Sequence, residues 1–437
     1  MKSLLVALTG LFKTTATASS RKTNKNAANQ RDDCVTAHKD AQENYGQLAI
    51  ESDADAQYAR ALKFHKGRGV VQDYLEAVKW YRLAAAQGHC QAQTNLSALY
   101  YAGEGVAQDY AEAVRLNRLA AAQGDAGAQD NLGLMYDKGK GVAKDHAQAV
   151  KWFQLAALSG FANALFHLGQ SYDSGKGVNK DPAEALKSFR LAAAQGHGLA
   201  QYTLGTMFYN GDGVDRDYTQ AGLWYRKAAS QGIPEAQTSL GSMYLEGIGV
   251  SRDPKEAAAL FHSAATQNYA DAQTGLGLLY SSGNGVARNV SEALKWLLLA
   301  AEQRFARAQY NLGAIYFNGV DVAQDYTAAA KWYRLAAEQG HHDAQLNLAS
   351  MLCSGQGVER NIVEATRLFR ILAGQGNARA QANLGVMYYT GQGCEVDFHE
   401  AAHMFRLAAE KGDSDGQRNL GVMLSIGQGV DKLQAHR

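Results

Sequence analysis

His399-Glu400-Ala401-Ala402-His403 has the spacing H-E-x-x-H. On a helix this puts two imidazoles on one face beside a carboxylate, the arrangement that holds zinc and activates a water for hydrolysis. The sequence offers no evident third ligand, since His436 stands in the last two residues of the chain. Ser19-x-x-Lys22 has the spacing of an acylating serine and its lysine, but it lies in a polar leader with no helix to aim either group. Cys34, Cys90, Cys353 and Cys394 are too few in 437 residues for a disulfide scaffold. Cys90 and Cys394 stand where related segments carry small or apolar residues and are expected to be buried thiols. No pairing is assigned, no catalytic residue is assigned, and no metal or other cofactor is expected. The zinc hydrolase at His399 and His403 stays as a minor alternative.

The elements that would position any such group follow from the rest of the chain. It is 46% hydrophobic and 19% charged, which excludes a disordered or collagen-like polymer, and no run of eighteen apolar residues offers a membrane span. Forty-three Lys and Arg against 42 Asp and Glu leave a net charge of +1, so no basic excess points to nucleic acid. Residues 1–31 differ: they hold six bases (Lys2, Lys13, Arg21, Lys22, Lys25, Arg31) and no acid. Without them 37 bases face 42 acids, a net of −5. A secretory reading takes Lys2 as the charged end, Ser3 to Phe12 as the apolar stretch and Ala16-Thr17-Ala18 as the cleavage site. It favours a secreted or periplasmic location. An organelle transit peptide and a flexible tail of a cytoplasmic protein are the alternatives.

The organisation comes from repetition. From Ala56, alanine recurs every 36 residues through Ala92, Ala128 and onward to Ala380, and Gly416 continues the series. A leucine stands four residues on (Leu96, Leu132, Leu312), and an aromatic four further (Tyr100, Tyr136, Tyr244), so the three share one helical face. A Gly-x-Gly-Val turn follows, then Asp or Asn three residues later (Asp73, Asp109, Asp325) and, in all units but one, Glu or Gln three after that. This predicts a capping box that opens a second helix, in which the first side chain accepts from the helix start and the second reaches back. The second helix carries a Trp-Tyr-Arg-Leu-Ala-Ala-like core and stops at a glycine, or at Asn268 and Arg304. Helices of about 11 and 15 residues in each unit cannot bury their apolar faces alone, so they must stack. The expected fold is all-α, a right-handed α-solenoid. Residues 36–55 are assigned to a degenerate N-terminal capping helix, 56–415 to ten repeats, and 416–437 to a partial eleventh repeat and tail. Leu420, Met423 and Leu424 are a possible self-association surface at that end. A recurrent arginine series (Arg82, Arg118, Arg226, Arg334) and a glutamine series (Gln87, Gln123, Gln231, Gln339) are expected to tie neighbouring helices by hydrogen bonds.

The unit, seen plainly at residues 126–160 and 306–340, resembles the Sel1-like repeat, a 36-residue relative of the tetratricopeptide repeat. The resemblance spans residues 56–430. It implies a non-enzymatic scaffold or adaptor that binds a protein or peptide partner in the solenoid groove, with no nucleic acid and no membrane span. Two alternatives come with it: a regulatory subunit in protein quality control or cell-wall synthesis, and a secreted penicillin-binding or β-lactamase-like repeat protein. The latter branch carries a cysteine pair in each repeat, which this chain lacks.

Positions that stacking requires repeat, and those that vary are free for recognition. On the first helix of each unit the third and tenth positions vary and share a face. The resemblance places that face in the concave groove. It carries Tyr202 and Tyr209 in one unit, Tyr310 and Phe317 in another, and Tyr101, Phe166 and Tyr389 elsewhere, all large anchors of low side-chain entropy. Asp130, Asp137 and Asp173 add acid in the third and fourth repeats. The alternative is that these rings pack on the second helix.

Overall fold

The computed structural model describes residues 53–319 and 322–429. The leader at 1–31 and all but the end of the proposed capping helix lie outside those residues, as does Cys34. Asp53 is the N-cap of the first described helix, and Ala54 and Asp55 lie in its first turn.

Among the described residues there are 21 helices and no strand. The first helices of the repeats are α1 (Ala54–Lys66), α3 (Cys90–Ala102), α5 (Ala126–Lys138), α7 (Ala162–Ser174), α9 (Gly198–Asn210), α11 (Pro234–Glu246), α13 (Ala270–Ser282), α15 (Ala306–Asn318), α17 (His342–Ser354), α19 (Ala378–Thr390) and α21 (Ser414–Ile426). The second helices are α2 (Tyr74–Ala86), α4 (Tyr110–Ala122), α6 (His146–Leu158), α8 (Pro182–Ala194), α10 (Tyr218–Ala229), α12 (Pro254–Ala265), α14 (Val290–Glu302), α16 (Tyr326–Glu338), α18 (Ile362–Gly374) and α20 (Phe398–Glu410). They form two compact units, one of residues 53–164 with 176–179, the other of 165–175 with 180–429. In the first, consecutive helices from α1 to α6 pack on one another, and in the second those from α8 to α21 do the same. Each unit is thus a helical solenoid, as the 36-residue period predicts.

Both helices of a repeat are close to 13 residues long, not 11 and 15. The first helix starts two residues before the recurrent alanine; in several repeats the preceding side chain caps it, as Asp125 accepts from the Ala128 N–H, whereas Ile233, Tyr269 and Phe305 hold that position without a side-chain cap. The second ends at its Ala-Ala pair, with the next residues turning through a left-handed glycine such as Gly88 at φ 87°. Asn268 and Arg304 adopt the same left-handed conformation at φ 64° and 63° without glycine's freedom. Pro234 opens α11 as Pro182 and Pro254 open their helices.

The capping box is only half made. Asp73 accepts from the N–H groups of Leu75 and Glu76, but its own N–H donates to the Phe64 carbonyl of α1 at 3.0 Å. The same bond recurs from Asp109 to Tyr100 and from Asp325 to Tyr316. The donor that a capping-box glutamate would satisfy is already used to tie the two helices of a repeat, and Glu76 pairs with Lys79 instead. The second glycine of the turn has a role beyond backbone angle. At Gly141, φ 71°, a Cβ would stand 2.2 Å from the Tyr110 carbonyl oxygen of the previous repeat, so any side chain would push the repeats apart.

The core is a layer of alanine, leucine and one aromatic per repeat. In the eighth, Ala308, Leu312, Ala329, Tyr333 and Ala336 are all 2% exposed or less. Tyr333 lies against Gly313, where a Cβ would come within 2.6 Å of the ring. Small residues on one helix make room for the large one on its partner. In the second repeat Asn117 takes the ring's place, 2% exposed, with its Nδ2 on the Met135 sulfur and its Oδ1 without a partner.

Candidate partner-binding surface

The glutamine series forms a relay through the seam. Gln339 Nε2 donates to Gln309 Oε1 at 2.7 Å, and Gln309 Nε2 donates to the Ala301 carbonyl of the preceding repeat at 3.0 Å. Gln123, Gln93 and Ala85 repeat the pattern in the first unit. Each buried amide thereby satisfies a helix carbonyl and bridges two repeats. The arginines tie helices too: Arg82, Arg118 and Arg226 donate to the hydroxyls of Tyr100, Tyr136 and Tyr244 at 2.6, 3.0 and 2.7 Å. Both series are therefore engaged within the fold.

The variable first-helix positions stand roughly a quarter-turn around each helix from the relay glutamine. In the second unit Tyr202 is half-buried, its ring 5.6 Å from that of Tyr225, and Tyr209 stands edge-on to Tyr218 at 5.1 Å and 67°. Tyr310 is half-buried between Tyr333, at 5.8 Å, and His341, on which it stacks at 4.6 Å and 15°. Phe317 meets Tyr326 edge-on at 5.3 Å. Tyr389 meets Phe398 at 5.4 Å and donates to Gln428 Oε1 at 3.3 Å. In the first unit Tyr101 is 40% exposed and edge-on to Tyr110. These rings do pack on the second helix, yet each keeps part of its surface in solvent. Edge-to-face pairs of this kind hold a ring in one orientation.

Two of the expected residues are placed elsewhere. Phe166 is 6% exposed, clasped by Phe189 and His197, so it belongs to the core. Asp130 is 3% exposed. Asp137 is held by Lys138 and His146, both at 2.8 Å; burial would raise its pKa, but hydrogen bonds from these two outweigh that and leave it below the usual carboxylate value. Asp173 is exposed and lines a cavity of about 440 Å³ in the second unit, with Lys180, Thr203, Thr206 and Asp212. At the last helix Met423 is buried, Leu420 and Leu424 are half-buried, and Val422 and Ile426 carry the exposed apolar surface.

The sequence reading missed the partners of the tenth position. Wherever that position is Tyr or Phe, the residue nine further on is also Tyr or Phe (Tyr110, Tyr218, Tyr326, Phe398), and Asp137 with His146 is the polar version. That covariation inside one chain was the available signal. The core tyrosines were missed as donors as well. Burial pushes the phenols of Tyr81, Tyr225 and Tyr333 up to about 12, so they stay protonated. Tyr225 donates to Thr206 at 3.2 Å, and Tyr81 Oη is hydrogen-bonded to Nδ1 of His65 at 3.0 Å. The surface thus offers aromatic faces backed by hydroxyls.

His399 and Glu400 lie in the first turn of α20, their N–H groups donating to Asp397, and both they and His403 are exposed. Among the described residues no three His, Cys, Asp or Glu side chains gather where a metal ion would fit. Cys90, Cys353 and Cys394 are free and half-buried, and burial pushes each thiol up. No described helix is long and apolar enough to cross a membrane.

The Sel1 repeat model matches ten consecutive segments from 54–89 to 378–413, and a shorter eleventh at 414–436. A protective antigen of uropathogenic Escherichia coli with an SLR fold is 37% identical at a TM-score of 0.72, the match covering 87% of this chain and 82% of that one. A Sel1 repeat protein from Oxalobacter formigenes is 32% identical at a TM-score of 0.55, over 71% of this chain and 89% of that one. No curated protein matches the chain.

Proposed function

We propose, from the premise that the chain belongs to the Sel1 repeat family, that it is a scaffold which grips an extended segment of another protein on its first-helix surface. Proteins built from such repeats generally mediate protein–protein interaction and are typically non-catalytic. The finer reading is that Tyr202, Tyr209, Tyr310, Phe317 and Tyr389 of the second unit, and Tyr101 of the first, are the anchors. One observation carries it: on these helices the buried side repeats from unit to unit, whereas the half-exposed side holds preset aromatic rings whose identity changes with each repeat. Rings already fixed by a neighbour lose little entropy when a partner covers them. Phe166 and Asp130, being buried, are not among the anchors.

Because the anchors also pack, lost capture by an alanine variant would need its folding checked alongside. A photoreactive phenylalanine analogue keeps a ring in place. Installed at Tyr209 or Phe317 in the cells that make the protein, it is expected to cross-link a discrete partner, while at Leu299, on a second helix and 37% exposed, it does not. Cross-linking at Leu299 with none at Tyr209 or Phe317 would move the binding surface to the second helices.

A further inference from the structure

Three of the first helices are opened by histidine. His89, His197 and His341 are the N-caps of α3, α9 and α17, and in each the ring Nδ1 accepts from the N–H of the recurrent alanine three residues on, at 3.1, 3.1 and 3.3 Å. An imidazole accepts at Nδ1 only when that nitrogen carries no proton, so the cap fixes the neutral ring with its hydrogen on Nε2. In all three the same ring lies on an aromatic of the preceding repeat: Tyr58 at 4.4 Å, Phe166 at 4.7 Å and Tyr310 at 4.6 Å. The chain contains its own control. At the corresponding position of the next repeat Asn377 makes the same bond, its Oδ1 accepting from Ala380 at 3.0 Å, with no proton to gain. Asp125 and Asp413 cap the same way.

We propose that His341 is a proton-operated latch in the seam between the eighth and ninth repeats: neutral, it holds the first turn of α17 and the Tyr310 ring together, and on gaining a proton at Nδ1 it releases the Ala344 amide. The groups facing it are Asp343 and His342 on its own helix and Arg307 and Tyr310 on α15. Burial disfavours the charged ring most, Asp343 favours it, and His342 and Arg307 oppose it, so its pKa lies below the ordinary histidine value. The sign follows. A histidine whose folded pKa is depressed adds stability that is present above its unfolded value and is lost as pH falls through the folded one. His89 differs in having the exposed carboxylate of Asp55 at 3.2 Å from Nε2. This inference does not depend on Tyr310 binding anything.

Amide hydrogen exchange on the full chain, with alanines labelled, tests it inside one molecule. As pH is lowered from about 8 to about 5, the protection of Ala344, corrected for intrinsic exchange, is expected to fall roughly fivefold, the usual strength of an N-cap, while that of Ala380 holds. His341→Asn should make Ala344 behave as Ala380 does. Constant protection at Ala344, or a parallel fall at Ala380, would overturn the latch. So would a ring found protonated at Nδ1 in the folded chain near neutral pH.

Discussion

The two faces of α15 differ in what their residues answer to. On one, Ala308, Gln309, Leu312 and Gly313 are nearly sealed from solvent and recur in kind through the chain; on the other, Tyr310 and Phe317 are half-open and have no fixed counterparts. The sealed face must match the next helix to within a methyl group, because a side chain at Gly313 would meet the Tyr333 ring. The open face needs only to pack loosely, and its identity is free to follow a ligand. The lesson is that in this repeat the constraint sits on stacking, and variation marks where stacking stops.

That contrast can be broken from its sealed side. Tyr333→Ala should cost the most, about 3–5 kcal/mol by the usual range for emptying a core aromatic site, read as a fall in the melting temperature of the helical signal. Loss below about 1 kcal/mol would mean the seam is not the source of stability. Gln309→Ala comes next, at about 1–3 kcal/mol, since it strands the Gln339 amide and the Ala301 carbonyl. Gln309→Glu should do no better, because it sets an unpaired carboxylate against the Ala301 carbonyl at a site 2% exposed.

Much of the fold was legible. The 36-residue alanine period, the leucine and aromatic on one face, the Asp or Asn cap and the glycine stops all mark where helices start, end and stack. The glutamine series ties helices as expected, and so do the arginines, though not always through one partner: Arg82, Arg118 and Arg226 reach a tyrosine hydroxyl, whereas Arg334 reaches Glu364. Other features depended on distance and stayed hidden. That Gly141 is pressed against the Tyr110 carbonyl, and that the Asp73 N–H is taken by the Phe64 carbonyl, are contacts between segments that sequence spacing does not encode. The candidate surface was legible in its position more than its membership. Helical spacing put the third and tenth positions on one face but not their depth: Phe166 is buried and Tyr310 half-buried although each lies between the corresponding ring and histidine, Phe189 and His197 for one, Tyr333 and His341 for the other.

The central claim is that the sealed face holds the molecule together while the open aromatic face binds. Its most direct test is a titration calorimetry comparison using the partner recovered by cross-linking. The Tyr209→Ala, Phe317→Ala double variant, at a temperature where it remains folded, should bind at least about thirtyfold more weakly than the natural chain, the loss expected of central aromatic anchors. The Leu299→Ala, Arg226→Ala double variant should bind as the natural chain does. Equal affinity for both variants, or weakening confined to the second, would contradict the account.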